Sequence, residues 1–164
     1  MWSDAFKQDL VRAGGLSRIV TVRMLATGLF RLSQAAGAKH PLLGTLVKQL
    51  NHLVTGADIA WQAQLGPGLA LFHPTGVVVG EHVRAGARCT IQQGVTLGGL
   101  GGDQANPDGF PVLGDDVFLG AGCRVIGPVS VGDGAKVGAN AVVVKDVPPH
   151  AVAVGIPARN REAR

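Results

Sequence analysis

Residues 117–144 read VFLGAGCRVIGPVSVGDGAKVGANAVVV. Leu119, Val125, Val131, Val137 and Val143 stand six residues apart, and Gly120, Gly132 and Gly138 follow three of them directly. Two places before each of these anchors lies a small or β-branched residue: Val117, Cys123, Val129, Ala135 and Ala141. Six is not a helical period, and plain two-residue alternation does not demand glycine at every sixth place. Working outward, Leu113 keeps the phase, and so do Val79, Ala85, Ile91 and Leu97 beyond an interruption. This is the pattern of a solenoid built from hexapeptides. Each unit is expected to be a short strand and a turn. Its anchor points inward, and glycine follows where the backbone takes a conformation side chains disfavour. Three units make one triangular coil of about eighteen residues, and stacked coils bury an aliphatic column.

The composition fits so narrow a core. Of 164 residues 25 are glycine, roughly twice the usual share, while aromatics make up only 4%. Charged residues are 16% and the net charge is +4, with no run of Lys or Arg of the kind that binds nucleic acid. Cys89 and Cys123 fall in small-residue positions of the repeat and are read as packing groups. No basic stretch precedes an apolar run at the N-terminus, and Arg23 and Arg31 interrupt the apolar stretch Ile19–Leu32. A cytoplasmic protein without stable membrane insertion is the expectation.

Residues 1–55 read as a helical segment. Val22, Leu25, Leu29 and Leu32 form one stripe; Leu43, Leu46, Val47, Leu50 and Val54 form another, opened by Pro41 and closed by Gly56. Its basic residues, Arg12, Arg18, Arg23, Arg31, Lys39 and Lys48, are read as a solvated polar face, with contact to an anionic surface as the alternative. The solenoid domain is expected over 56–159, with an extruded loop at 98–111 and a short tail at 160–164. That loop, rich in Gly, Asp, Asn and Pro, leaves an otherwise regular repeat, as functional loops do.

His73 lies between two aliphatic runs, just before the turn Pro74-Thr75-Gly76. Neutral imidazole is the side chain best suited to take a hydroxyl proton near pH 7, a contribution of typically ~10²–10⁴-fold. With its neighbours, "GADIAWQAQLGPGLALFHPTGVVVGE", followed by "TIQQGVTLGG" and the closing "VPPHAVAVGIPAR", it resembles the serine acetyltransferase branch of the hexapeptide-repeat acyltransferases. The resemblance spans roughly Gly56 to Arg159. It implies a left-handed parallel β-helix, although parallel crossovers are otherwise nearly always right-handed. It also implies trimers, or dimers of trimers, with sites between neighbouring prisms. His73 would be the general base and Asp58 the carboxylate that orients it. The co-substrate would be acetyl-CoA, without a metal, held along Gly98, Gly99, Ala121, Gly122 and Ala139. Lys136, Lys145 and Arg159 would meet its phosphates. A zinc enzyme on the same scaffold needs three histidines about the metal, and no such spacing occurs.

The sequence departs from that branch at the acceptor side. Phe72 stands where the family has an Asp, Gly109-Phe110-Pro111 where it has Arg-His-Pro, and Ala60-Trp61 where it has His-Pro. Trp61, Phe72 and Phe110 are therefore expected to form an apolar or stacking pocket, with Asp103 and Asp108 as further acceptor contacts. The tail Arg159–Arg164 also lacks the Ile-ended extension by which family members dock to the next enzyme of cysteine synthesis. The resulting expectation is an O-acetyltransferase acting on a small-molecule or glycan hydroxyl, in a sugar, polysaccharide or secondary metabolite, with free serine a poor acceptor. The alternatives are a serine O-acetyltransferase of cysteine biosynthesis and a non-catalytic scaffold.

Overall fold

The computed structural model describes residues 2–15, 17, 20–101 and 107–162. Three helices come first: α1 (Trp2–Ala13), α2 (Val22–Gly37) and α3 (Pro41–Thr55). Thr21 caps α2 by accepting the Met24 N–H, Pro41 occupies the first turn of α3, and Gly56 ends α3 at φ +75°. Fifteen short strands follow. In chain order they are β1 (Asp58–Ile59), β2 (Gln64–Leu65), β3 (Ala70–Leu71), β4 (Val78–Val79), β5 (Arg84–Ala85), β6 (Thr90–Ile91), β7 (Thr96–Gly98), β8 (Val112–Leu113), β9 (Phe118–Leu119), β10 (Arg124–Ile126), β11 (Ser130–Val131), β12 (Lys136–Val137), β13 (Val142–Val143), β14 (Val152–Val154) and β15 (Arg159–Arg161).

The strands stack into three sheets, one per prism face. The first is β1-β4-β7-β10-β13, the second β2-β5-β8-β11 and the third β3-β6-β9-β12-β14-β15. Every pairing is parallel except β14 with β15. The anchors form the column down the middle: Ile91, Leu97, Leu119, Val125 and Val137 are fully buried, and so are Cys89 and Cys123 two places ahead of theirs.

Register exposes where the rhythm slips. Val78 pairs with Thr96 and Val112 with Ser130, eighteen residues on in each case. Asp58 pairs with Val78, twenty on, because the corner after β3 carries two extra residues. Arg84 pairs with Val112, twenty-eight on, because the loop after β7 adds ten. His73 is in the first slip and the extruded loop is the second.

The role expected for the glycines is corrected. None of the glycines that follow an anchor has positive φ; left-handed residues instead sit two places before strands, as at Gly76, Gly94 and Gly122. Most post-anchor glycines are required by close approach of the next coil, Gly98 being the exception with open space around it. A Cβ on Gly132 would lie 2.5 Å from the Pro149 backbone nitrogen, and one on Gly120 would lie 2.7 Å from that of Ala139.

The helices are corrected too. The buried residues of α2 include Met24, Ala26, Thr27, Phe30, Arg31 and Ser33, while Val22, Leu25 and Leu32 stay exposed, as do Leu43, Leu46, Leu50 and Val54 on α3. Arg31 is not part of a solvated face, and Arg12, although exposed, is tied to the prism. Arg31 is buried against Asp9 (Nε to Oδ2, 2.9 Å) and donates to the carbonyls of Leu65 and Gly66. Arg12 donates to the carbonyls of Gly68 and Cys89. These bonds close carbonyls at the open end of the first coils, and Asp9 accepts the Leu69 N–H there. No helix among the described residues is long and apolar enough to cross a membrane.

Candidate active site

His73 sits at the corner between the third and first sheets. Its φ is +54°, which belongs to none of the regular left-handed turn positions. The two inserted residues push the chain outward there, so the imidazole is exposed and makes no hydrogen bond within the described residues. It borders a cleft of about 640 Å³ together with Thr21, Arg23, Phe72 and Thr75. The Arg23 guanidinium lies over the Phe72 ring, 4.4 Å from its centroid. Above this corner the successive coils bring up Gln93-Gly94, Ala121-Gly122 and Ala139-Asn140, linked by Gly94 N–H to Thr75 O, Gly122 N–H to Gln93 O and Asn140 N–H to Ala121 O. Three of the residues assigned to acetyl-CoA, Ala121, Gly122 and Ala139, are therefore on the His73 edge.

Asp58 opens β1 on the first sheet, and its carboxylate is held by Lys48 of α3, with Nζ 2.5 Å from Oδ1. Among the described residues no hydrogen bond joins it to His73. Asp58 and Lys48 border a second cleft, of about 620 Å³, together with Glu81, Gly98, Gly99 and Asp108. This cleft belongs to the corner between the first and second sheets, where the loop leaves the prism. From it a track runs along the same edge. Leu100 and Pro128 lead on to Val144 and Lys145, and Lys145 and Arg159 share the hollow at the far end. Lys136 lies elsewhere, exposed on β12 of the third sheet.

The three aromatic residues expected to share an acceptor pocket are not brought together. The Trp61 indole packs on the backbone of Gly37, where an added Cβ would fall 2.4 Å from the ring. Phe72 lies under Arg23 in the His73 cleft. Phe110 is 8% exposed, seated against Gly80 and Gly99 and edge-on to His82 at 5.1 Å, so it anchors the base of the loop. Asp108 does border the Asp58 cleft. Asp103 lies outside the described residues.

Two residues of this surface escape a reading by spacing. Lys48 lies in a helix whose periodicity singles out only its apolar residues, and nothing in sequence marks it as the partner of Asp58. Arg23 did leave a signal: it interrupts an apolar run, and such a charge requires a local partner. The cysteines behave as packing groups. Burial pushes the Cys89 thiol up to about 11 and the Cys123 thiol up to about 12.

Comparisons with known proteins give this geometry a family. The profile described as bacterial transferase hexapeptide (six repeats) matches residues 110–145, and that of the hexapeptide repeat of succinyl-transferase matches 76–99. The serine acetyltransferase of Mycobacterium tuberculosis is 45% identical over 116 residues, covering 71% of this chain and 50% of the relative. The serine acetyltransferase of Neisseria gonorrhoeae superposes with a TM-score of 0.91 at 34% identity, over 99% of this chain and 66% of that one. The soybean enzyme complexed with serine gives 0.90 at 35% identity, over 98% and 69%. The chain spans about half the length of the curated relatives it matches. The prism is thus the left-handed parallel β-helix that the resemblance implied. The expectation of a sugar, polysaccharide or secondary-metabolite acceptor is overturned, because relatives at 40–45% identity are serine acetyltransferases despite Phe72 and Gly109-Phe110. From these matches, the chain belongs to the serine acetyltransferase branch of the hexapeptide-repeat acyltransferases.

Proposed function

We propose that the protein transfers the acetyl group of acetyl-CoA to the hydroxyl of L-serine. One observation carries this reading: the fold of the serine-bound soybean enzyme covers 98% of this chain at a TM-score of 0.90. In the proposed reaction His73 takes the hydroxyl proton as the oxygen attacks the thioester carbonyl. The tetrahedral intermediate then expels the CoA thiolate, which recovers the proton from the imidazolium. The exposure of His73, without a hydrogen-bond partner among the described residues, suits a group whose partner is the substrate. Asp58 is assigned to orient the imidazole, which requires its carboxylate to exchange Lys48 for His73.

The residues assigned to acetyl-CoA support a shared site. Ala121, Gly122 and Ala139 lie on the His73 edge of the first face, and Gly98, Gly99, Lys145 and Arg159 lie on the loop edge. A trimer, in which the His73 edge of one prism faces the loop edge of the next, joins the two sets. The loop-edge track crosses four coil steps, roughly 19 Å at the usual strand spacing, and ends at two cations suited to phosphates. The test is thiol release from acetyl-CoA with L-serine. His73→Ala is expected to lower kcat at least ~10²-fold, with acetyl-CoA binding retained. Asp58→Asn is expected to lose no more than His73→Ala.

A further inference from the structure

The Asp58 carboxylate is held by a group that the proposed reaction does not use. Asp58 and His73 flank one stretch of contact between consecutive coils, where the Asp58 N–H donates to Val77 O at 2.8 Å and the Gly76 N–H to Gly56 O at 2.9 Å. The backbone thus carries both side chains to neighbouring coils, yet among the described residues no hydrogen bond joins them. Lys48 reaches Asp58 instead, with Nζ 2.5 Å from Oδ1. Gly56, left-handed at φ +75°, turns the chain from α3 into β1, so the helix that carries Lys48 leads directly into the strand that carries Asp58. The two side chains are 23% and 35% exposed, so solvent screens the pair only in part.

Such a contact acts on His73 in two ways. Turning the carboxylate onto the imidazole takes it off the ammonium, so the ion pair opposes the orienting contact. An ion pair also presents little net charge to its surroundings, so Asp58 held by Lys48 does less to stabilise the imidazolium that forms when His73 takes the proton. We infer that Lys48 is a positioning residue that competes with His73 for Asp58, holding the carboxylate on α3 and keeping the base only partly organised. The inference rests on the His73–Asp58 pair of the serine-acetylating reading above. A lysine that merely ties α3 to the prism makes the opposite forecast: its loss lowers activity, and arginine restores it.

The experiment measures kcat/KM for L-serine between pH 6 and 9 in the wild type, Lys48→Met and Lys48→Arg, and repeats Lys48→Met in an Asp58→Asn background. On the pH plateau Lys48→Met is expected to gain about 2- to 5-fold, the release of one partly exposed ion pair. Its acid limb should move to higher pH, by up to about 1 unit, because the uncompensated carboxylate now favours the imidazolium. The other charged groups about the pair, Glu81 and Asp108 at the Asp58 cleft and Arg23 at the His73 cleft, are the same in every variant. Lys48→Arg keeps the charge and grips a carboxylate with a fork, and is expected to stay at or below the wild type. With Asp58→Asn in place the gain should vanish, since Lys48 acts through that carboxylate. If Lys48→Met fails to fold, Lys48→Gln carries the same comparison. A plateau at or below the wild type in Lys48→Met, an unmoved acid limb, or a gain that persists without Asp58 overturns the inference while leaving serine acetylation standing. A wild type that does not turn over L-serine is a separate readout: it overturns the parent reading, and this inference with it.

Discussion

At the scale of single residues, position in the repeat separates the two kinds of titratable group. His73 occupies an insertion, is exposed, and is left-handed at φ +54° outside the regular turns. Cys89 and Cys123 occupy regular inward positions and are 1% and 0% exposed. Burial raises the thiols from 9.0 to about 11 and about 12, so the native protein keeps both protonated at pH values where the unfolded chain ionises them. The stability these thiols contribute is complete below about pH 9 and is lost as pH rises through the folded values. The slope is about 1.4 kcal/mol per pH unit for each ionised thiol. Two measurements follow: denaturant unfolding between pH 8 and 11 should show stability falling with pH, and both thiols should resist alkylation at pH 8 until the protein is unfolded. Rapid alkylation of the native protein would contradict the packing role. The burial of the two cysteines was legible because the repeat assigns an inward or outward position to each of its residues. Lys48 and Arg23 were not, because a helix docking on a prism leaves no fixed spacing between the residues it brings together.

At the scale of the coil, glycine reports how closely successive turns approach. A Cβ on Gly66 would fall 2.5 Å from the Gly86 carbonyl oxygen, which cannot move without shifting the next coil, whereas one on Gly98 meets nothing within 4 Å. Gly66→Ala is expected to destabilise the fold by about 1–3 kcal/mol in urea unfolding. Gly98→Ala should leave stability within about 0.5 kcal/mol and instead raise the KM for acetyl-CoA, because it narrows the track at the loop edge. Equal stability losses would mean that coil spacing is not what selects glycine. The period of six made the prism, its column and its interruption readable in advance. The reason for its glycines was not, since a sequence repeat records that a side chain is excluded and not whether torsion or contact excludes it. The helices were legible as elements through Pro41, Gly56 and their periodicity. Their packed face was not, because Arg31 docks by donating to carbonyls of the first coil rather than by adding to an apolar stripe.

At the scale of the whole molecule, one prism carries the two halves of the proposed site on different edges. His73, Arg23 and the small residues Ala121, Gly122 and Ala139 are on one; the loop base, Lys145 and Arg159 are on the other. The shared site proposed above requires a neighbouring prism to bring those edges together. Light scattering should give a trimer or a multiple of three, and a stable monomer with full activity would contradict a shared site. The departures at Phe72 and Gly109-Phe110 pointed to a sugar or secondary-metabolite acceptor, a reading that the serine acetyltransferase relatives overturn. The central claim, a serine acetyltransferase that uses His73 as base, is tested most directly by steady-state kinetics of CoA release with L-serine for the wild type and His73→Ala. The account predicts a wild-type kcat/KM at or above ~10⁴ M⁻¹s⁻¹ and a loss of at least ~10²-fold in the variant. No serine-dependent release by the wild type, or near-normal turnover by His73→Ala, would contradict it.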